Sequence, residues 1–270
     1  MFIDILGTVA VRVEGCCRGI RANKVRAMLA TLALDAGRAI SHVDLADELW
    51  CGQPLGNVRN ALQAQATRVR RVLDGKTGQG PGLTVLRAVG NGYLLDIPPE
   101  HVDGNRFLDL AARGAALLHC DADRALELLQ EALRLWRGPA LLDAGDGLRC
   151  RSAATLFDER RLTVWEDIVS ARLAVGDNRQ AIADLSQLVA HHPLHERFYE
   201  QLMLALYRVG RHSDALDLFH RLRARLDEEL GLEPSDRLKH RYAEILSQDP
   251  RLESTAAVWS QQVGQRIAAY

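Results

Sequence analysis

An internal repeat of 34 residues is the strongest constraint on what this chain can fold into. Glycine at a turn and alanine at a helix contact, repeated with this period, are typical of tetratricopeptide hairpins, because glycine permits the tight turn and alanine permits close helix packing. The region therefore predicts stacked helical hairpins, which bind other polypeptides and seldom host catalysis. The matched positions are Trp165 with Tyr199, Ala171 with Ala205, Leu173 with Tyr207, Gly176 with Gly210, Ala181 with Ala215, Leu185 with Phe219, and Leu188 with Leu222.

An earlier helical pair is predicted over Leu110–Trp136. It keeps the five-residue step from turn to alanine, at Cys120 and Ala125, but not the period. From Asn105 onward nearly every segment has the spacing of an amphipathic helix. The back half of the chain is therefore predicted to be all α-helical.

The front half has a different pattern. Two β-rich runs broken by glycines predict a short meander, and helical spacing follows over Lys24–Ala36. Ser41 is a predicted N-cap of a second helix, with Asp44 at the capping-box position. Its apolar contacts are predicted to come from Val43, Leu45, Ala46, Leu49 and Trp50. A third helix is predicted from about Leu55 to Leu73. After a glycine-rich linker, LTVLRAVGNGYLLDI predicts a β-hairpin with an Asn-Gly turn.

Meander, three helices and hairpin predict a winged helix-turn-helix of the OmpR type. The fold class is thus an α+β winged helix-turn-helix N-terminal domain followed by an all-α tetratricopeptide-like helical-repeat domain. We place the boundaries at residues 1–98, 99–250 and a tail, 251–270. Charge divides in the same way: residues 1–98 carry 12 basic and 8 acidic residues, whereas the remainder carries 22 and 27. A basic front half and an acidic back half fit a nucleic-acid module joined to a protein-interaction module.

The third helix carries the functional signal. With Leu62 pointing inward, Val58, Ala66, Val69 and Leu73 fall within about 40° of it at about 100° per residue. No carboxylate occurs between Leu55 and Val72. A helix that enters the negatively charged major groove must exclude acids and offer Arg, Asn and Gln, so we interpret it as a recognition helix rather than a plain surface helix. The residues predicted to meet DNA are Asn60, Gln63, Thr67, Arg68, Arg70 and Arg71, with Arg87 and Asn91 of the hairpin beside them.

Other function classes find little support. No run approaches the roughly 18 apolar residues of a membrane helix, and the first residues alternate like a strand, so we expect a cytoplasmic, nucleoid-associated protein that does not contact a membrane. The five cysteines lack CxxC spacing. Gly75-Lys76-Thr77 lacks the glycine and the strand–helix context of a phosphate loop. Neither a nucleophile elbow nor a His-Glu-x-x-His pair is present.

Three histidines cluster at a helix end, His191, His192 and His195, and without a clear companion ligand they are read as surface residues. Carboxylates such as Glu166 lie on arginine-rich helices, as solvated or salt-bridged faces do. We therefore expect no catalytic site, no metal site and no cofactor.

On these residues the chain resembles the Streptomyces antibiotic regulatory protein family, which pairs an OmpR-type winged helix with a bacterial transcriptional activation domain. The likeness covers roughly residues 1–248. In the first domain it rests on ILGTVAVRVEG, KVRAMLATLALDAGRAIS, LADELW, NALQAQATRVRRVL and GYLLDI. In the second it rests on LWRGPAL, HPLHERFYEQLMLALYRVGRHSDAL and RLDEELGLEPSDRLKHRYAEIL.

The resemblance implies activation of a biosynthetic gene cluster. It implies binding to direct repeats that overlap the promoter minus-35 element, with a possible second copy on the DNA, and recruitment of RNA polymerase holoenzyme with its housekeeping sigma factor. The sequence departs from the family at Ala64, Gln65 and Ala66, where members often have a hydroxyl residue, a histidine and a larger aliphatic residue. The base preference of other members therefore does not transfer to this chain.

Two alternatives stay open at this point. In the first, the chain is a helical-repeat adaptor whose front domain does not bind DNA. In the second, it binds DNA and represses transcription by occluding a promoter. The acid-free helix face favours DNA binding over the adaptor. Repression shares the DNA-binding step and differs only in polymerase contact.

Overall fold

The computed structural model describes residues 1–13, 15–53, 56–74 and 85–259. The predicted glycine-rich linker, with Gly75-Lys76-Thr77, and the end of the predicted tail, 260–270, lie outside the described residues. The described chain forms two compact units. Unit 1 comprises Met1–Ala112 and Gln130–Leu162, and unit 2 comprises Arg113–Leu129 and the described residues from Thr163 on.

Unit 1 contains two three-stranded antiparallel sheets. The first is the predicted meander, with order β1-β2-β3, and the second has order β4-β6-β5, in which the predicted hairpin pairs with a strand that sequence analysis did not predict. The register of the second sheet sets Ile40 opposite Tyr93. The strands are β1 Phe2–Asp4, β2 Ala10–Val13, β3 Cys16–Gly19, β4 Ala39–Ser41, β5 Leu86–Val89 and β6 Gly92–Leu95.

The helices follow the predicted order along the chain. They are α1 Asn23–Leu34, α2 His42–Trp50, α3 Val58–Asp74, α4 Asp103–Leu117, α5 Ala122–Arg134, α6 Leu148–Val175, α7 Asn178–His191, α8 Glu196–Arg208, α9 His212–Leu230, α10 Asp236–Leu246 and α11 Ala256–Trp259. The Ser41 cap is confirmed: its hydroxyl oxygen accepts the backbone N–H of Asp44 at 3.1 Å. The prediction for Val43 is wrong, because this side chain is 62% exposed while Glu48 is buried on the same helix.

The core of unit 1 lies between α1, α2 and α3, where Met28, Leu29, Leu45 and Leu62 are fully buried. The first strand is also fixed by a residue that lies beyond the predicted hairpin. The Asp103 carboxylate accepts the backbone N–H of Ile5 at 2.7 Å and of Leu6 at 3.2 Å. Burial raises the pKa of Asp103, and these bonds together with the Arg137 guanidinium at 2.8 Å oppose that rise. Unit 1 therefore includes more than the meander, the three helices and the hairpin.

Unit 2 confirms the 34-residue repeat as successive helical hairpins. Gly176 and Gly210 occupy the turns with φ of +86° and +78°, the left-handed region that favours glycine. The alanines five residues later, Ala181 and Ala215, are completely buried, as close helix packing requires. Ala125 of the earlier helical pair is buried to the same degree.

Candidate nucleic-acid interface

The predicted recognition helix is α3. It begins at Val58, because the Asn57 side-chain oxygen accepts the backbone N–H of Asn60 at 3.0 Å and so caps the first turn. Its inward stripe is completely buried and consists of Leu62, Ala66, Val69 and Leu73. Burial of these four side chains fixes the rotation of the helix about its axis. The opposite, polar face is therefore directed to solvent.

The predicted DNA-contacting side chains of α3 share that exposed face, with one exception. The exposed residues are Asn60, Gln63, Thr67, Arg68 and Arg71. The Thr67 hydroxyl donates to the carbonyl of Gln63 at 2.9 Å, which holds it against the helix. Arg59, which sequence analysis did not select, is exposed one residue before Asn60. It lies about 60° from the inward direction, nearer to the buried stripe than any of the side chains that were selected on α3.

Arg70 is the exception, because its guanidinium is held within the protein. Its Nε and Nη2 atoms both donate to the carbonyl of Leu86 on β5, at 3.1 and 3.0 Å. This two-donor contact joins α3 to the hairpin. We therefore interpret Arg70 as the residue that positions the hairpin beside α3.

The hairpin residues also have partners. Arg87 forms an ion pair with Asp96 at 2.8 Å, with both side chains about half exposed. Asn91 accepts the backbone N–H of His42 through its carbonyl at 2.8 Å, and its side-chain oxygen lies 2.9 Å from His42 Nδ1. The hairpin tip is therefore joined to the start of α2. Such exposed polar contacts cost little free energy to break, since surface pairs contribute about 0–1 kcal/mol.

The charge pattern of α3 differs from that of an ordinary surface helix. Within the described part of the chain, Arg59, Arg68 and Arg71 form no ion pair. The single acidic residue of α3 is Asp74, at its last position. The exposed face therefore presents uncompensated positive charge and amide groups, the groups that bind phosphates and base edges.

The far end of α2 is anchored by a buried carboxylate. Glu48 accepts the backbone N–H of Arg149 at 2.9 Å and of Cys150 at 2.8 Å, in the first turn of α6. A carboxylate at a helix N-terminus satisfies N–H groups that have no partner within the helix. A Cβ atom at Gly147 would lie 2.2 Å from the Glu48 carboxyl carbon, so glycine permits this approach. Burial raises the pKa of the neighbouring Cys150 thiol to about 12, and this cysteine remains a neutral core residue.

Unit 2 holds its charges in a different arrangement. Glu200 is buried, and its carboxylate contacts Arg197 and Arg237 at 2.6 Å and Arg241 at 3.3 Å. Burial alone would raise the pKa of Glu200, but the three guanidinium groups outweigh burial and lower it. We call these four residues the Glu200 cluster. It joins α8 to α10, and Arg241 also pairs with Glu244 at 2.9 Å.

The histidine cluster has structural partners. His195 Nε2 lies 3.3 Å from Glu166, and its ring stacks on Phe198 with centroids 4.2 Å apart. His191 Nδ1 lies 2.8 Å from the carbonyl of Gln187. Among the residues that the structure describes, no group of three or more His, Cys, Asp and Glu side chains is arranged to hold a metal ion. None of the described helices has the length and apolar character required to cross a membrane.

Comparison with known proteins agrees with this architecture. Residues 102–246, more than half of the chain, match the family described as Bacterial transcriptional activator domain. The chain is 56% identical over 257 residues to the transcriptional regulator RedD of Streptomyces coelicolor, covering 95% of this chain and 73% of that protein. It is 38% identical to the regulatory protein DnrI of Streptomyces peucetius, covering 94% of each chain.

A solved structure has the same fold. Mycobacterium tuberculosis EmbR, determined in complex with a low affinity phosphopeptide, superposes with a TM-score of 0.86 at 30% sequence identity. The match covers 98% of this chain and 71% of that one. The winged helix, the helical hairpins, the matched activator domain and these relatives agree with one another. The chain belongs to the Streptomyces antibiotic regulatory protein family and is a transcriptional regulator.

Proposed function

We propose that this regulator is a sequence-specific transcription activator. It binds double-stranded DNA at direct repeats that overlap a promoter minus-35 element, and it recruits RNA polymerase holoenzyme with its housekeeping sigma factor. Membership of the family supports a biosynthetic gene cluster for a secondary metabolite as the target. No cofactor and no catalytic residue take part in this function.

The observation that carries the proposal is the exposed face of α3. Arg68 and Arg71 have no ion pair in the described chain, and the single acid of α3, Asp74, lies at its last position. A protein that neutralises phosphates gains free energy by releasing the counterions condensed on DNA, so unpaired arginines on one helix face favour DNA as the partner.

Individual side chains then have distinct roles. Asn60 and Gln63 read base edges in the major groove, since amide groups bond adenine through two atoms. Arg68 and Arg71 contact phosphates, and Thr67 lies beside them on the same face. The hairpin adds two further contact residues, because Arg87 exchanges Asp96 for a phosphate and Asn91 lies at the hairpin tip. Arg70 of α3 holds the hairpin in place.

The two activities are assigned to different parts of the chain. Residues 1–98 bind DNA, residues 99–250 contact polymerase, and residues 251–270 are a tail. A fragment that ends at Pro98 would lose Asp103 and Arg137, which hold β1, and the α6 turn that Glu48 caps. A test of DNA binding without the helical repeats therefore needs a fragment that retains residues up to about 162.

The decisive experiment is a salt titration of DNA binding by the full chain. Footprinting first identifies the operator, and binding is then measured at increasing salt for the wild type, Arg68→Ala and Arg71→Ala. We expect each substitution to weaken binding to all sequences and to reduce the slope of log K against log salt by about 1. Arg223→Ala is the matched control, because this exposed arginine of α9 pairs with Glu233. Wild-type affinity that does not change with salt would favour the adaptor.

Activation and repression are separated by transcription in vitro with purified polymerase. An activator raises transcript yield from the operator-bearing promoter, and Arg71→Ala lowers that yield in proportion to occupancy. Reduced yield at full operator occupancy would support promoter occlusion instead, and would leave unit 2 without a polymerase contact.

A further inference from the structure

Residues 250–259 follow α10 and pack on the helices of unit 2 as an irregular segment. They form a 3₁₀ turn, Pro250–Glu253, and the single helical turn of α11. The activator domain ends before them, at residue 246. We call residues 250–259 the strap. Apart from Pro250 its residues belong to the predicted tail, to which neither DNA binding nor polymerase contact is assigned.

Three apolar side chains anchor the strap. Leu252 is completely buried, and Ala257 and Val258, which follow five and six residues later, are also buried. The 3₁₀ turn that carries Leu252 packs on α8. The residues between the anchors are all exposed, and they are Glu253, Ser254, Thr255 and Ala256. Peptide ligands bind in the same manner, with a few buried side chains that carry most of the affinity and solvated positions between them.

Two arginines of unit 2 bind the backbone of the strap. Arg208, at the end of α8, donates from Nε to the carbonyl of Leu252 at 2.8 Å and from Nη2 to the carbonyl of Ser254 at 2.6 Å. Arg241 of α10 donates from Nη2 to the carbonyl of Ala257 at 2.9 Å. Every polypeptide carries backbone carbonyls, so these bonds recognise a main chain, and the buried anchors supply the selectivity for side chains.

Both arginines are oriented by contacts that do not involve the strap. Nη1 of Arg208 donates to the carbonyl of Leu173 on α6 at 2.8 Å. Arg241 pairs with Glu200 at 3.3 Å and with Glu244 at 2.9 Å. The donors are therefore in position before a peptide arrives, and a site that is ordered in advance loses less entropy when its ligand binds.

The joint between α10 and the strap favours detachment. Gln248 has a φ of +52°, in the left-handed region that residues other than glycine rarely adopt. Surrounding contacts must hold a backbone in this region, so detachment of the strap lets Gln248 relax. At the far end, the Trp259 and His119 rings meet with their centroids 4.5 Å apart.

We propose that Arg208, Arg241 and the α8 surface under Leu252 form a peptide-binding site, and that the strap is a displaceable ligand that occupies this site within its own chain. The external partner that the site fits is a polypeptide segment with the same pattern. It has a leucine followed, five and six residues later, by two small apolar residues, and its backbone carbonyls take the place of those of the strap.

The strap limits access to the site. A ligand on a short tether has an effective concentration that reaches about the millimolar range. A partner binds the fraction of molecules in which the strap is released, so its apparent affinity falls in proportion to that fraction. Unit 2 thus holds a polypeptide site that the chain itself covers. Neither DNA nor polymerase takes part in this device, so it does not depend on the proposed function.

Expelling the strap from the full chain tests the site. Leu252→Asp combined with Val258→Asp places a charge at two buried anchors, and a labelled synthetic peptide of residues 249–259 then probes the vacated surface. Fluorescence anisotropy measures its binding. We expect the double variant to bind the peptide more tightly than the wild type by a factor of about 10 to 100, which corresponds to a strap released in about 1–10% of wild-type molecules.

Matched variants separate the site from general effects. Arg208→Ala, added to the double variant, removes two carbonyl donors and is expected to weaken peptide binding about tenfold or more. Arg223→Ala in the same background keeps the affinity, because this exposed arginine pairs with Glu233. A peptide with Asp at both anchors does not bind, whereas a peptide with Thr255→Ala binds as the original does, since Thr255 is exposed.

Hydrogen exchange of the wild type provides a measurement that needs no variant. A strap that detaches exchanges the amides of Leu252 and Val258 faster than the buried core of α8 exchanges. Excess peptide accelerates this exchange further, because it occupies the site while the strap is released. Exchange of the strap at the rate of α8, unaffected by peptide, would overturn the proposal. Loss of the helical circular dichroism signal in the double variant, or equal peptide binding by that variant and the wild type, would overturn it as well.

Discussion

The arginines on the exposed face of α3 in unit 1 and those around Glu200 in unit 2 serve opposite purposes. On α3 of unit 1, Arg59, Arg68 and Arg71 are exposed and have no ion pair in the described chain. In unit 2, Arg197, Arg237 and Arg241 form ion pairs within the protein, with Glu200. Three more arginines, one just before α9 and two on it, pair with acids at the surface, which are Arg211 with Asp214, Arg223 with Glu233 and Arg225 with Glu229.

The difference indicates what each set of charges is for. A cation with an internal carboxylate contributes to stability or to solvation, and its field outside the protein is largely cancelled. Cations that lie on one face without carboxylates repel one another and add no stability. Such a face therefore indicates a binding site for an external anion. This contrast separates the proposed DNA-binding face from the rest of an almost neutral protein more clearly than the net charge of −1 does.

The largest expected effect comes from breaking the Glu200 cluster. Glu200→Gln leaves buried Arg241 and partly buried Arg197 and Arg237 without this carboxylate, and we expect a loss of about 3–5 kcal/mol in the free energy of unfolding of unit 2. Urea denaturation followed by circular dichroism measures the loss. Glu233→Gln is the matched control, because that glutamate pairs with an arginine at the surface. A loss below about 1 kcal/mol would show that Glu200 contributes no more to stability than an exposed ion pair does.

The same cluster predicts a dependence on pH. The folded-state pKa of Glu200 lies below its unfolded value, so its contribution to stability is present above the unfolded pKa, about 4.3, and is lost as pH falls through the folded pKa. The stability difference between the wild type and Glu200→Gln is therefore expected to be largest near neutral pH and to shrink in acid. Thermal unfolding from neutral to strongly acidic buffers measures it. A difference that grows in acid would reverse the assigned direction of the pKa shift.

On α3, amide and guanidinium side chains are expected to respond differently. Asn60→Ala and Gln63→Ala each reduce discrimination between the operator and altered sequences by about 1–3 kcal/mol, because base-edge bonds are lost. Arg71→Ala weakens operator and scrambled duplex alike. Competition gel shifts with single-base operator variants measure the discrimination. Unchanged binding by all three variants would remove α3 as the recognition helix.

The smallest effect is expected at the surface of unit 2. Arg225→Ala removes an exposed pair with Glu229 at a spacing of four residues, which contributes about 0.3–0.5 kcal/mol. The expected loss in the free energy of unfolding is close to the smallest that urea denaturation detects. DNA affinity stays at the wild-type value. A loss of DNA affinity equal to that of Arg71→Ala would show that paired arginines also contact DNA, and the contrast between the units would fail.

The local sequence pattern by itself determined much of this protein's secondary structure. The 34-residue repeat predicted the hairpins with their turns at Gly176 and Gly210, and the inward stripe of α3 predicted which side chains face outward. The Ser41 cap followed in the same way. These features depend on periodicity, on backbone freedom at glycine and on capping over a few residues, all of which are local properties of the chain.

Only the tertiary structure decided which distant groups meet. Arg70 resembles its neighbours in sequence, yet folding brings it to the carbonyl of Leu86 and makes it a positioning residue. Glu48 is buried on α2 in place of Val43 because the first turn of α6 supplies N–H donors 101 and 102 residues away. The Asp103 contacts to β1 arise in the same way. Helical periodicity determines which face of a helix a side chain occupies. The group that this side chain contacts depends on where a remote segment of the chain packs.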